Sequence, residues 1–329
     1  PSSLALNTWP GNLAFFWFSQ IERRWHTTEN NWSGFTEEEN ATLEELLKGP
    51  QTTLHAIWPA FGMALYSLDS MDANFTEKHV LPLFSRNDSL RHVWEPFLYR
   101  PLVSLHLLQA GLLNAIAALF EQLSTLNLPE ARFEELAADV VTPAYSTEEP
   151  VGWISIEDSE RQQILDAAVL SEGGRYAADF ARAVIKVLRS NTLRTQKAWQ
   201  TWLHQHIKKR LNGIPRDAKP DELESWADIT PLLGDHLLEA VTLFRDSKIK
   251  IGLGKLYFAP EFTKETLARC STELVSFYAE RIQNSDTADF SLGVRVRQLV
   301  DDARATLGDE TAKPLIDAAR NKGFLEDSI

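Results

Sequence analysis

The stretch Trp199-Gln-Thr-Trp202, followed by Arg210-Leu-Asn-Gly-Ile-Pro215 and then by Glu222 and Trp226, decides what kind of chain this is. Residues 195–211 read as one helix, which Gly213 and Pro215 stop sharply. Lys209 and Arg210 stand in its last turn, where positive charge meets the negative end of the helix dipole. Trp199 and Trp202 lie three apart and so share a helix face. Trp226, returning after the turn at Pro215, is placed to pack against both, with Arg210 capping the helix end. No reactive group is built from these residue types at that spacing. The pattern describes packing, and the expectation is a structural clasp made of Trp199, Trp202, Arg210, Pro215 and Trp226.

Outward from the clasp, composition narrows the class. With 329 residues the chain exceeds the size of one hydrophobic core, so two or three sub-cores or a helical array are expected. An apolar fraction of 44% with ten Trp argues for a packed interior and against disorder. Lys and Arg number 33 against 46 Asp and Glu, a net charge of −13. That much acid repels phosphate backbones, so no nucleic-acid partner is expected over a broad face. The single cysteine, Cys270, excludes an internal disulfide framework and fits a reducing cytoplasm.

The longest apolar stretches do not read as membrane spans. Leu13–Phe18 is too short, and Leu102–Phe120 is interrupted by Ser104, His106, Gln109 and Asn114. No basic-then-apolar leader opens the sequence, and a start at Pro1 leaves room for an upstream part. Four glycosylation sequons begin at Asn31, Asn40, Asn74 and Asn87. Without a secretory leader they read as loop and cap residues.

Helices with clear punctuation fill the remainder. Leu13, Phe16, Trp17, Ile21 and Trp25 follow Pro10-Gly11 at helical spacing. Thr36-Glu-Glu-Glu39 is a capping box, whose helix closes at Lys48-Gly49-Pro50. Helices are expected over 53–68, over Pro101–Leu126 as the longest of all, and from Pro129 to Val141. The segment 142–155 holds Pro143, Pro150, Gly152 and the pair Glu148-Glu149, and it marks a boundary between sub-bodies. The expected organisation is an N-terminal helical sub-body over 1–142, a boundary segment over 143–155, and a C-terminal helical sub-body over 156–329. Beyond the boundary, helices are expected near 156–173, 175–190, 195–211, 231–245, 263–283, 290–307 and 311–321, with a further short one starting at Lys219-Pro-Asp-Glu222. Only Ile249–Phe258 alternates with a strand-like period, which allows at most one short β-hairpin near 249–258. The fold expected is all-α, an irregular helical array or α-solenoid-like stack, with no repeat of fixed period.

Near misses to chemical motifs each have a structural reading. His204-Gln-His206 resembles a metal pair, but residues two apart point to opposite helix faces. Cys270 lies mid-helix with no His nearby in sequence. Gly252-Leu-Gly254-Lys255 lacks the third Gly of a dinucleotide fingerprint and the Lys-Ser/Thr of a P-loop. No catalytic, cofactor-binding or metal-ligating residue is therefore assigned, and no cofactor is implied. The alternative is a hydrolase whose groups converge only in three dimensions, for example Glu95, His92 and His106. The first 35 residues carry more aromatic surface than one amphipathic helix needs. Trp9, Phe15, Phe18, Trp25 and Trp32 are candidate anchors for a protein partner, whether an upstream domain, a second copy or a phage protein.

The spaced aromatics also carry a resemblance. Trp199-x-x-Trp202, Arg210-Leu211-x-x-x-Pro215 and Trp226 resemble an uncharacterised all-helical family of bacterial proteins. That family is typically the C-terminal region of large sirtuin-like proteins of the antiphage-defence type. Pro10-Gly-Asn-Leu-Ala-Phe-Phe-Trp17, Trp25 with Trp32-Ser-Gly-Phe35, Val80-Leu-Pro-Leu-Phe84, Trp94-Glu-Pro-Phe-Leu98 and Leu107-Leu-x-Ala-Gly-Leu-Leu113 match it in the same order. The likeness runs over residues 9–245 and departs from the family at His206, where a Tyr is expected. It assigns no catalytic residue. What it implies is a cytoplasmic recognition, sensing or scaffolding region, controlling an NAD-consuming module that this sequence does not contain.

Overall fold

A computed structural model describes residues 1–28, 31–145, 153–253, 264–285 and 290–325. The chain is all-α, an irregular helical array. In order it runs through α1 (Ser2–Asn7), α2 (Trp9–Thr28), α3 (Glu37–Leu46), α4 (Gln51–Met71) and the single turn α5 (Ala73–Phe75). Next come α6 (Leu90–Phe97), α7 (Leu105–Leu107), α8 (Leu113–Leu119), α9 (Leu123–Leu126) and α10 (Glu130–Val141). The two-residue strands β1 (Ala144–Tyr145) and β2 (Trp153–Ile154) pair antiparallel, Ala144 opposite Ile154. Then follow α11 (Asp158–Leu170), α12 (Ala177–Arg189), α13 (Thr192–Ala198), α14 (His204–Leu211), α15 (Pro220–Ala227) and α16 (Leu237–Asp246). The chain closes with α17 (Lys264–Asn284), α18 (Phe290–Leu307) and α19 (Asp309–Asn321).

Two compact units divide the chain. One holds Pro1–Ala137 with Ser159–Ala167, and the other holds Ala138–Asp158 with Ala168–Ile329. The division falls inside α10 and α11, and it assigns 159–167 to the first unit, whereas the sequence division gives those residues to the C-terminal sub-body.

In the first unit α4 is the central element. Ile57, Trp58, Phe61, Leu65 and Leu68 are all buried on it, and α1, α2 and α6 pack around it. The Thr36 capping box forms as the sequence predicts: its hydroxyl accepts from the Glu39 amide, and the Glu39 carboxylate accepts from the Thr36 amide. Gly11 lets α1 lie directly on α2, since a Cβ there would stand 2.1 Å from the Ala5 carbonyl oxygen. A second aromatic group joins α6 to α10 through the edge contact of Trp94 with Phe133, with Phe84 edge-on to Trp94 and Phe120 to Phe133. The Trp94 indole N–H donates to the Phe84 carbonyl at 3.0 Å. In the second unit α12 packs on α15, and α17 packs on both α18 and α19.

Three expectations are corrected. Pro101–Leu126 is not one helix: residues 101–104 are irregular, Ser104 caps α7, and a wide π-type turn at Leu108–Leu112 precedes α8. Gly111 causes the break, because its φ of 131° lies outside the helical region. Residues 195–211 likewise contain a wide turn, Trp199–Leu203, between α13 and α14. A strand pair lies at the 143–155 boundary, where the sequence reading placed none. Residues 249–253 carry no strand, because their backbone partners are side chains: Gly252 accepts from Arg281 and Leu253 donates to Ser285. The remainder of that expected hairpin lies outside the described residues.

Candidate functional site

The 199–226 region holds a buried ion pair. Arg210 in the last turn of α14 and Glu222 in the first turn of α15 are both about 1% exposed. The Arg210 Nε and Nη2 donate to the two Glu222 carboxylate oxygens at 2.5 and 3.0 Å. Arg210 Nη1 donates to the carbonyls of Ile214 and Arg216. Arg210 therefore does more than complement a helix dipole: it ties down both sides of the turn that contains Pro215 and neutralises itself on the next helix.

The aromatic contacts differ from those the spacing predicts. Among the described residues no ring contact joins Trp199 to Trp202, or Trp226 to either. The wide turn at Trp199–Leu203 spreads residues three apart farther round the axis than an α-turn does. Trp199 turns toward α16, donating its indole N–H to Glu239 at 2.9 Å. Trp202 meets His206 at a centroid distance of 6.0 Å, and His206 meets Trp226 at 5.1 Å. The imidazole is thus the middle ring of the clasp, and the spacing of the tryptophans gave no sign of it. Burial, followed by the neighbouring Arg210 and Lys209, pushes the His206 pKa down to about 3, so its ring is neutral. His204 points elsewhere, toward Glu239 at 3.6 Å, so the two histidines do not chelate together.

The hydrolase alternative needs Glu95, His92 and His106 to meet. Among the described residues no hydrogen bond, ion pair or ring contact links His106 to the other two. His106 Nδ1 lies 2.7 Å from Asp69 Oδ1, and the Ser104 hydroxyl donates to Asp69 Oδ2 at 2.7 Å. Serine and histidine both converge on the carboxylate. Acyl-transfer chemistry would need the hydroxyl hydrogen-bonded to the imidazole. Here Ser104 caps α7 and Asp69 holds it to α4. His92 stacks on His55 at 4.2 Å, and burial together with the His55 charge brings its pKa down to about 4. Glu95 pairs with Arg91, and the described residues contain no cluster of three or more metal-ligating side chains.

The N-terminal aromatics are divided by the geometry of α2. At about 100° per residue, Ala14, Phe18 and Ile21 fall on one side and are buried. Phe18 packs edge-on against Phe61 at 5.0 Å, so it belongs to the core and is not available as a surface anchor. Phe15 is half-buried against Phe18. Trp32 is engaged internally: its N–H donates to the Met71 carbonyl, and Arg24 lies 4.1 Å above its ring while pairing with Glu39. Trp25 is half-buried and stacks on His26 beside Trp32. Of the five expected anchors only Trp9 is open, 74% exposed.

Phe16, 54% exposed, stands with Trp9 on the side of α2 turned away from Phe18. Trp9, Leu13 and Phe16 fall within about 60° of one another around the axis. Leu6 on α1 adds a further exposed apolar side chain nearby in sequence. The sequence signal for Phe16 is its spacing of seven from Trp9. Phe16 also fits the apolar spacing that begins at Leu13 and runs to Trp25, and it is not among the five anchors the sequence offers.

Compared with protein-family models, curated proteins and solved structures, the chain has no match. No described helix is long and apolar enough to cross a membrane.

Proposed function

We propose that this chain is a non-catalytic recognition and assembly region that works by protein–protein contact. The observation carrying the reading is the second apolar face of α2. Trp9 and Phe16 lie in water on the side opposite the buried Phe18, and a helix apolar on both faces has a second surface to cover. Large aromatics at such positions are natural anchors for a partner, and the net charge of −13 favours a basic one. The same charge disfavours nucleic acid.

The sequence likeness supports a more specific placement: the helical C-terminal part of a cytoplasmic bacterial sirtuin-like defence protein. In that placement the chain senses a phage product, assembles the oligomer or restrains an NAD-consuming module carried outside it. The test is sedimentation velocity on the chain alone and on the chain mixed with the sirtuin-like module. Association is expected for the wild type and not for the double variant Trp9→Ala/Phe16→Ala, with both proteins melting alike. Association that survives the double variant would refute the α2 face as the contact. NAD turnover by the purified chain alone would refute the non-catalytic reading.

A further inference from the structure

We propose that the exposed face of α2 pairs with the same face of a second copy of this chain, as an antiparallel two-helix contact. The proposal rests on the reading of α2 as a protein-contact face and adds the identity of the partner. Trp9, Leu13, Phe16 and Gln20 fall within about 60° of one another around the helix axis. Their spacing of four, three and four is that of a seam by which one helix packs on another. Trp9 and Phe16 are exposed, and Leu13 and Gln20 are half-buried beside them. Phe18 is buried on the far side, so the seam is additional to the stripe that holds α2 in its own unit.

Charge identifies what covers the seam. From Ser2 to Ile21 there is no Asp, Glu, Lys, Arg or His, in a chain of which 24% of residues are charged. The seam is flanked by exposed Asn12 and Ser19 on one side and by half-buried Trp17 on the other. These flanks offer hydrogen bonds and apolar surface but no ion pair. A basic partner finds no carboxylate on this face, and an acidic one finds no cation. The matching surface is a helix face that is itself apolar and uncharged, and α2 presents one. Two chains of charge −13 can meet there without bringing like charges into contact.

Symmetry gives the register. A two-fold axis between Leu13 and Phe16 sets Leu13 against Phe16 of the second copy, and Trp9 against Gln20 of the second copy. Each large ring then meets a smaller side chain. A two-fold contact uses one patch twice and closes, so association stops at the dimer. The seam and its flanks offer roughly 500 Å² per copy, about 1,000 Å² for the pair, which is the lower limit of a specific interface. A dissociation constant on the order of 10 µM is expected of such a contact.

Sedimentation equilibrium of the full chain from about 1 to about 200 µM tests the pairing. The apparent mass should rise from 37.2 kDa toward twice that value. Phe16→Glu buries a carboxylate against Leu13 of the second copy, and it should weaken the dimer at least about tenfold while melting like wild type. Raising NaCl from about 50 to about 500 mM should tighten the dimer, because salt screens the repulsion between acidic chains and no ion pair is lost. A wild-type chain that stays monomeric throughout would overturn the proposal. Such a monomer that still binds the sirtuin-like module through Trp9 and Phe16 would leave the protein-contact reading standing, whereas one that binds nothing would end both. A dimer that survives Phe16→Glu would place the contact between copies elsewhere, and a dimer that salt weakens would show that ion pairs hold it. Either result would also overturn the proposal.

Discussion

The two tryptophan-rich regions, 9–35 and 199–226, look alike in sequence and are used differently. In 199–226 all three tryptophans are buried, and the buried guanidinium of Arg210 is matched by Glu222 at hydrogen-bond distance. In 9–35 the rings are divided among three fates. Phe18 enters the core, Trp32 is tied to Met71, and Trp9 with Phe16 face water. The difference arises from what lies on each side of the helix. α14 has helices on its inner face and a latched turn at its end, whereas α2 packs on α1, α3 and α4 and, among the described residues, leaves Trp9 open. Aromatic density thus reports packing capacity, and only the second face of a helix reports a surface to be shared.

The largest test of that contrast falls on the ion pair. Glu222→Gln leaves Arg210 buried without a counter-charge, and we expect a loss of about 3–5 kcal/mol. Urea unfolding followed by tryptophan fluorescence measures it. A loss below about 1 kcal/mol would mean that Arg210 reaches water and that the clasp does not hold the 214–216 turn.

A smaller effect separates the regions by pH. His206 has a folded pKa of about 3 against an ordinary value near 6.5, so the folded state binds fewer protons than the unfolded chain between those limits. The stability this represents is complete above about pH 6.5 and is lost as pH falls toward 3. Between pH 6.5 and 4 the loss is roughly 3 kcal/mol. His206→Phe should flatten the acid limb of a stability–pH curve by about that amount. Burial pushes Asp228 up to about 6, which acts in the opposite sense, and lowers His92 to about 4, which acts in the same sense. Both groups are present in both proteins and cancel in the difference. Parallel acid limbs for the two proteins would show that His206 is solvated and is not the middle ring of the clasp.

Much of this was legible in the sequence because it is local. The Thr36 capping box and the closing Lys48-Gly49-Pro50 are set by contacts within a few residues, and they appear where the spacing places them. What was not legible depends on contacts between distant residues or on small changes of winding. The wide turn at Trp199–Leu203 alters which rings meet, and apolar spacing does not register one extra residue in a turn. Likewise, the aromatic density of α2 offers Phe18 as a surface anchor, and only its contact with the distant Phe61 puts it in the core. Arg281, which donates to Gly252, Asp228 and Glu224, carried no signal at all, since these partners lie 29, 53 and 57 residues away.

The smallest expected effect is also the sharpest test of the exposed face. Trp9 is 74% exposed, so its truncation removes little buried area and creates no cavity. Trp9→Ala should change the unfolding free energy of the isolated chain by less than about 0.5 kcal/mol. It should also remove a component of the fluorescence that acrylamide quenches readily, because an indole in water is open to collision whereas Trp58, Trp94 and Trp226 are fully buried. A loss of 2 kcal/mol or more, on the scale of burying a large apolar side chain, would show that Trp9 packs within the chain. The α2 face would then be part of the first unit's own core, and the contrast between the two tryptophan-rich regions would disappear.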